Sequence, residues 1–123
     1  MPNNNSKEID AKEMVQIAVE AMKDKKAEDI RVIDISKISV IADYFVIASG
    51  GNANQVQAIV DNVEEKLHIE GCTEPRVEGY NSASWILLDY KDVIVHVFSR
   101  DDRLFYDLER IWRDGVEIDI DTL

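Results

Sequence analysis

The sequence predicts a single α/β domain, a sandwich in which a mixed sheet of about five strands is covered by helices, and three observations predict it. Residues 85–98 make two apolar runs broken only by Lys91 and Asp92, the pattern of a tight β-hairpin. Residues 43–48 are an almost unbroken apolar run, as in a central strand buried on both faces. Val56, Ile59, Val60, Val63 and Leu67 then recur at helical spacing and mark one apolar stripe. A chain of 123 residues has room for one core and none for a second domain. We divide it into a disordered N-terminus at 1–6, one domain at 7–115 and an acidic C-terminal tail at 116–123.

Ser6 is placed to cap a first helix, with Met14, Ile17, Ala18 and Ala21 at helical spacing and Lys23, Lys25 and Lys26 at its C-terminal end. A strand follows at 30–35, a connector at 36–42 and the central strand at 43–48. Asn52 with Gln55 three residues on resembles a capping box, so the second helix starts there, and Gly71 ends it. The pair Gly50 and Gly51 offers a cradle for a phosphate on that helix N-terminus, but its spacing matches neither the Walker pattern nor the dinucleotide fingerprint. A short strand at 74–78 carries Pro75, which suits an edge, and 79–84 is a polar loop.

With Lys91 and Asp92 as the hairpin loop, Tyr90 pairs with Val93, Leu88 with Val95 and Ile86 with Val97 on one apolar face. The other face carries Trp85, Leu87, Asp89, Ile94, His96 and Phe98. The first face reads as core under the helices, and the second as a surface that meets something. A last helix opens at 100–102, with Leu104, Leu108 and Ile111 in its stripe, Phe105 and Trp112 flanking it, and Gly115 stopping it. Residues 116–121 alternate apolar and acidic residues, an extended segment along an edge.

The charge balance narrows the partners. Twenty-five acidic against 14 basic residues give a net charge of -11, which opposes phosphate-led nucleic-acid binding and favours basic partners. The lone Cys72 excludes an internal disulfide and a thiolate cage. No apolar run approaches the roughly 18 residues of a membrane span, and the polar start lacks a signal-peptide core, so a soluble cytoplasmic protein is expected.

Catalytic constellations are weak. His68 and His96 lack a partner at metal-ligand spacing, and Ser49, His96 and Asp89 lack the G-x-S-x-G turn that would make a triad of them. Asp119 and Asp121 have the period-two spacing of a two-metal carboxylate pair, but they sit at the chain end and read as a solvated edge. No cofactor and no metal are expected.

Taken together, DYFVIASG at 43–50, QVQAI at 55–59, WILLDY at 85–90 and DVIVHVF at 92–98, with Arg103, Phe105, Tyr106, Leu108, Glu109 and Trp112, resemble the ribosomal silencing factor family, also called Iojap. The resemblance covers about residues 8–115 and carries nothing onto the acidic tail. It implies a nucleotidyltransferase-like fold without that activity and a homodimer. It further implies binding to a basic protein on the intersubunit face of the large ribosomal subunit, where the factor sterically blocks the small subunit from joining. Lys91 departs from the family's usual hairpin glycine, so a bulged loop can replace the primed turn.

Residue chemistry and resemblance meet on one surface. Trp85 beside Asp89 and His96 is an aromatic anchor with a polar rim, the composition of an interface hot spot. The competing reading buries Trp85 and Phe98 under a covering helix. On the family's pattern Tyr90 and Asp43 also contribute, although the alternation puts Tyr90 on the core face. The alternative function is a nucleotidyltransferase-like enzyme using Gly50, Gly51 and a carboxylate pair, against which stands the absence of a D-x-D on the strand after the glycines.

Overall fold

The computed structural model describes residues 9–101 and 115–123. Helix α1 spans Ala11–Asp24, strand β1 Glu28–Asp34, strand β2 Tyr44–Gly50 and helix α2 Ala53–Ile69. Strands β3 (Arg76–Glu78), β4 (Trp85–Asp89), β5 (Val93–Ser99) and β6 (Val116–Ile118) follow, and a single 3-10 turn at Ile120–Thr122 ends the chain. The expected disorder at 1–6 and the body of the last helix beyond Asp101 lie outside the described residues.

All six strands join one sheet in the order β3-β4-β5-β2-β1-β6. Among the described residues only the central pair, β2 with β5, is parallel, so the sheet is mixed as expected. The count is six, against about five expected, because the alternating tail pairs antiparallel with β1, Ile118 opposite Val32. The hairpin register is the one the alternation predicts, with Ile86 opposite Val97 and Leu88 opposite Val95.

Helices α1 and α2 cover one face. Val15, Val19 and Met22 of α1 and Val56, Ile59, Val63 and Leu67 of α2 pack with Val46, Ile86, Leu88, Val95 and Val97 in one buried cluster. Asn62, which the apolar stripe does not reveal, is buried in α2 and donates from Nδ2 to the carbonyl of Ala21 at 2.8 Å, tying the two helices together.

The N-terminal cap differs from expectation. Helix α1 begins at Ala11 and not after Ser6, because the Asp10 carboxylate accepts the Glu13 N–H at 2.8 Å. At the other helix the expected signals hold. Asn52 accepts the Gln55 N–H at 2.9 Å. Gly71, at φ +90°, closes α2 with its N–H on His68 O at 2.9 Å and the Cys72 N–H on Leu67 O at 3.0 Å.

Candidate partner-binding surface

On the sheet face away from α1 and α2 the pleat brings Phe45 of β2, Trp85 of β4 and His96 and Phe98 of β5 together. Trp85 lies opposite Phe98 and stacks on it, with ring centroids 5.2 Å apart at 25°. Phe45 meets the His96 ring edge-on at 5.0 Å. The Trp85 indole Nε1–H donates to His96 Nδ1 at 3.0 Å. Phe98 and His96 are buried, and Trp85 is half-buried above them.

His96 is therefore not the exposed polar rim that the alternation suggested, being only 4% exposed. Burial pulls its pKa down from 6.5 to about 4, so the ring is neutral at pH 7. A neutral ring that accepts at Nδ1 carries its proton on Nε2. Its position is that of a support for Trp85. Behind the tryptophan, Gly79 at φ +79° brings its Cα so close to the Trp85 carbonyl that an added Cβ would lie 2.3 Å from that oxygen. Sequence reasoning passed over this glycine, whose only signal was its place just before the hairpin.

The remaining expected residues spread along the sheet. Asp89 is half-buried on the Trp85 face, at the far end of β4, and its carboxylate accepts the Lys91 N–H at 2.8 Å. That contact holds a tight turn in which Lys91 takes φ +76° and the Asp92 N–H reaches Tyr90 O at 3.1 Å. Asp43 is exposed beside the same turn, its N–H on Asp92 O at 2.8 Å. Tyr90 lies on the opposite, helix-covered face, as the alternation required. Its hydroxyl is buried without a hydrogen-bond partner among the described residues, and burial, with Glu64 and Cys72 nearby, drives its pKa upward. Thus Trp85 and His96 touch, Asp89 and Asp43 both adjoin the hairpin turn, and Tyr90, whose backbone forms that turn, sends its side chain to the opposite face.

The glycine turn serves packing. An added Cβ on Gly50 would lie 3.0 Å from Val56 backbone and side chain. The Gly51 N–H donates to Gln55 Oε1 at 2.6 Å, and Gln55 Nε2 donates to Lys26 O at 3.1 Å, which pins the α2 start to the α1 end. Arg100, beside Gly51, is held by the Glu28 carboxylate through two hydrogen bonds of 2.8 and 2.6 Å. The Gly51 N–H and the Arg100 guanidinium are thus engaged within the chain. Asp119 and Asp121 do not form a strand pair, because Asp119 caps the final 3-10 turn by accepting the Asp121 N–H at 2.9 Å. Among the described residues no three His, Cys, Asp or Glu side chains converge as metal ligands.

The sequence model of the family described as ribosomal silencing factor during starvation, RsfS, matches residues 8–123. The chain belongs to the RsfS family. The match runs through the tail, for which the motifs carried nothing, in keeping with β6 completing the sheet. Two RsfS proteins are each 41% identical to the chain. That of Halalkalibacterium halodurans aligns over 89% of this chain and 93% of its own length, and that of Bacillus subtilis over 92% and 96%. A crystal structure of a Chromobacterium violaceum protein superposes with a TM-score of 0.82 at 35% identity, covering 85% of this chain and 87% of that one. The RsfS description is regulatory, the silencing of ribosomes, and names no catalytic activity. Among the described residues no helix is long and apolar enough to cross a membrane.

Proposed function

We propose that this chain is a cytoplasmic translational repressor that binds a basic protein on the intersubunit face of the large ribosomal subunit and there sterically blocks joining of the small subunit. The observation that carries the reading is a rigid, half-buried indole, fixed from below by His96 and Phe98, on a chain of net charge -11. A pre-oriented aromatic gives affinity at low ordering cost, and the acidic surface steers a basic partner. Asp89 and Asp43 supply carboxylates near the hairpin turn, His96 acts through Trp85, and Tyr90 contributes by packing. Blocking needs occupancy alone, so no cofactor, metal or bond-making step enters, and the protein acts as a homodimer. The nucleotidyltransferase-like alternative is not favoured, since Gly51 N–H and Arg100 are engaged by Gln55 and Glu28.

Sedimentation with separated ribosomal subunits tests this. The protein should pellet with the large subunit and remain in solution with the small one, and its association should slow as salt rises. Pelleting with the small subunit, or with neither, would overturn the proposal.

A further inference from the structure

The polar loop at 79–84, between β3 and β4, is held more tightly than its composition suggests. Besides Gly79, Ala83 takes a left-handed backbone, at φ +55°, with its methyl buried in the same helix-covered cluster as Ile86 and Leu88. An alanine avoids that region unless its surroundings fix it there. The loop runs straight into Trp85, and the Ser84 carbonyl accepts the Ser99 N–H at 3.0 Å next to the Trp85 and Phe98 pair.

Part of the hold comes from helix α2, on the sheet face opposite the indole. Gln57 donates from Nε2 to the Tyr80 carbonyl at 2.9 Å, and one helical turn on, Asp61 accepts from the Tyr80 hydroxyl at 3.0 Å on each carboxylate oxygen. The Tyr80 ring packs against the core cluster. Bonding to Asp61 raises the Tyr80 pKa, so the phenol keeps the proton it donates.

Within the loop the Ala83 N–H and the Ser82 hydroxyl both donate to Gly79 O, at 3.1 and 3.2 Å. Gly79 in turn lies against the Trp85 carbonyl. Contacts therefore run without a break from α2 through the loop to the tryptophan backbone. Asp61 is exposed, so its charge has a rival role in meeting a basic partner directly. Both of its oxygens are turned to one phenol, which directs the carboxylate to Tyr80.

We propose that Gln57, Asp61 and Tyr80 form a latch that sets the position of Trp85 from across the sheet, so that helix α2 governs the aromatic anchor of the partner-binding face. The inference rests on the proposed function and makes these three positioning residues for it.

The test uses the full chain labelled with fluorotryptophan, as wild type, Tyr80→Phe, Asp61→Ala and Asp61→Asn. Each is melted, its Trp85 fluorine resonance, assigned by its loss in Trp85→Phe, is recorded in the free protein, and each is titrated against purified large subunits. Tyr80→Phe removes one hydroxyl, and Asp61→Asn keeps an acceptor for Tyr80 while dropping the charge, so neither disturbs the core. The expected result for Tyr80→Phe and Asp61→Ala is a shifted or broadened Trp85 resonance and binding about three- to tenfold weaker, through faster dissociation. Asp61→Asn should keep the wild-type resonance and bind within about twofold of wild type. An unmoved resonance in Tyr80→Phe, or one that moves while affinity stays at the wild-type level, would overturn the latch and leave the proposed function standing. Equal losses of affinity in Asp61→Asn and Asp61→Ala would make Asp61 a charge contact and overturn it too. Failure of the wild type to bind the large subunit removes the proposed function and the latch's part in it.

Discussion

The indole of Trp85 and the imidazole of His96 share one hydrogen bond, Nε1–H to Nδ1 at 3.0 Å, between neighbouring strands of the sheet. Because His96 is buried and neutral, it orients the tryptophan without competing for water. Trp85→Phe keeps the stacking on Phe98 and deletes the donor, leaving a buried acceptor at Nδ1. It should lower stability by about 1–3 kcal/mol in a denaturant melt. Trp85→Glu also sets a carboxylate against Phe98, so it should cost more than Trp85→Phe. An equal or higher midpoint for either variant would show that the bond is not a structural constraint.

The same pair sets a pH dependence. The His96 pKa is depressed from 6.5 to about 4, so the unfolded chain binds the proton first as pH falls. The contribution of His96 to stability is complete above pH 6.5 and is lost as pH drops toward 4, by up to about 3 kcal/mol. Glu64, whose pKa burial raises, works in the opposite sense, so the quantity to measure is wild type minus His96→Gln across pH 7 to 4.5. That difference should shrink as pH falls. A difference flat across the window would place the ionisation elsewhere.

Which parts of this were legible in the sequence follows from the range of each interaction. Alternation fixed the hairpin register and both faces, and Asn52, Gln55 and Gly71 announced the ends of α2, because caps and pleats are local. Burial of His96 was not legible, since period two names a face but not what packs on it. Asp10 replaced Ser6 as cap because several residues near a helix start can cap, and the choice is made where the apolar face meets the core. Gly79 was silent because its constraint is the carbonyl of Trp85, six positions on, brought back by the fold.

Gly79→Ala should therefore be among the costlier single-methyl changes in the chain. The substitution forces a left-handed backbone on alanine and drives Cβ into the Trp85 carbonyl, for a loss of at least about 2 kcal/mol. Tryptophan fluorescence should shift to the red as the indole loosens. A melt within experimental error of wild type would remove Gly79 from the support of Trp85.

Lys91→Gly should act in the other direction. Lys91 holds φ +76° within the hairpin turn, where glycine carries no steric penalty, so the midpoint should rise, by up to about 1 kcal/mol after the entropy of the unfolded glycine is counted. A fall in the midpoint would mean that the Lys91 side chain stabilises the turn more than its backbone strains it.

The most direct measurement is subunit joining itself. Large subunits incubated with this protein and then mixed with small subunits should yield fewer joined ribosomes in a sucrose gradient as the protein approaches saturation, with the protein travelling in the large-subunit peak. Full recovery of joined ribosomes while the protein remains on the large subunit would contradict steric blocking and leave it a bystander on that surface.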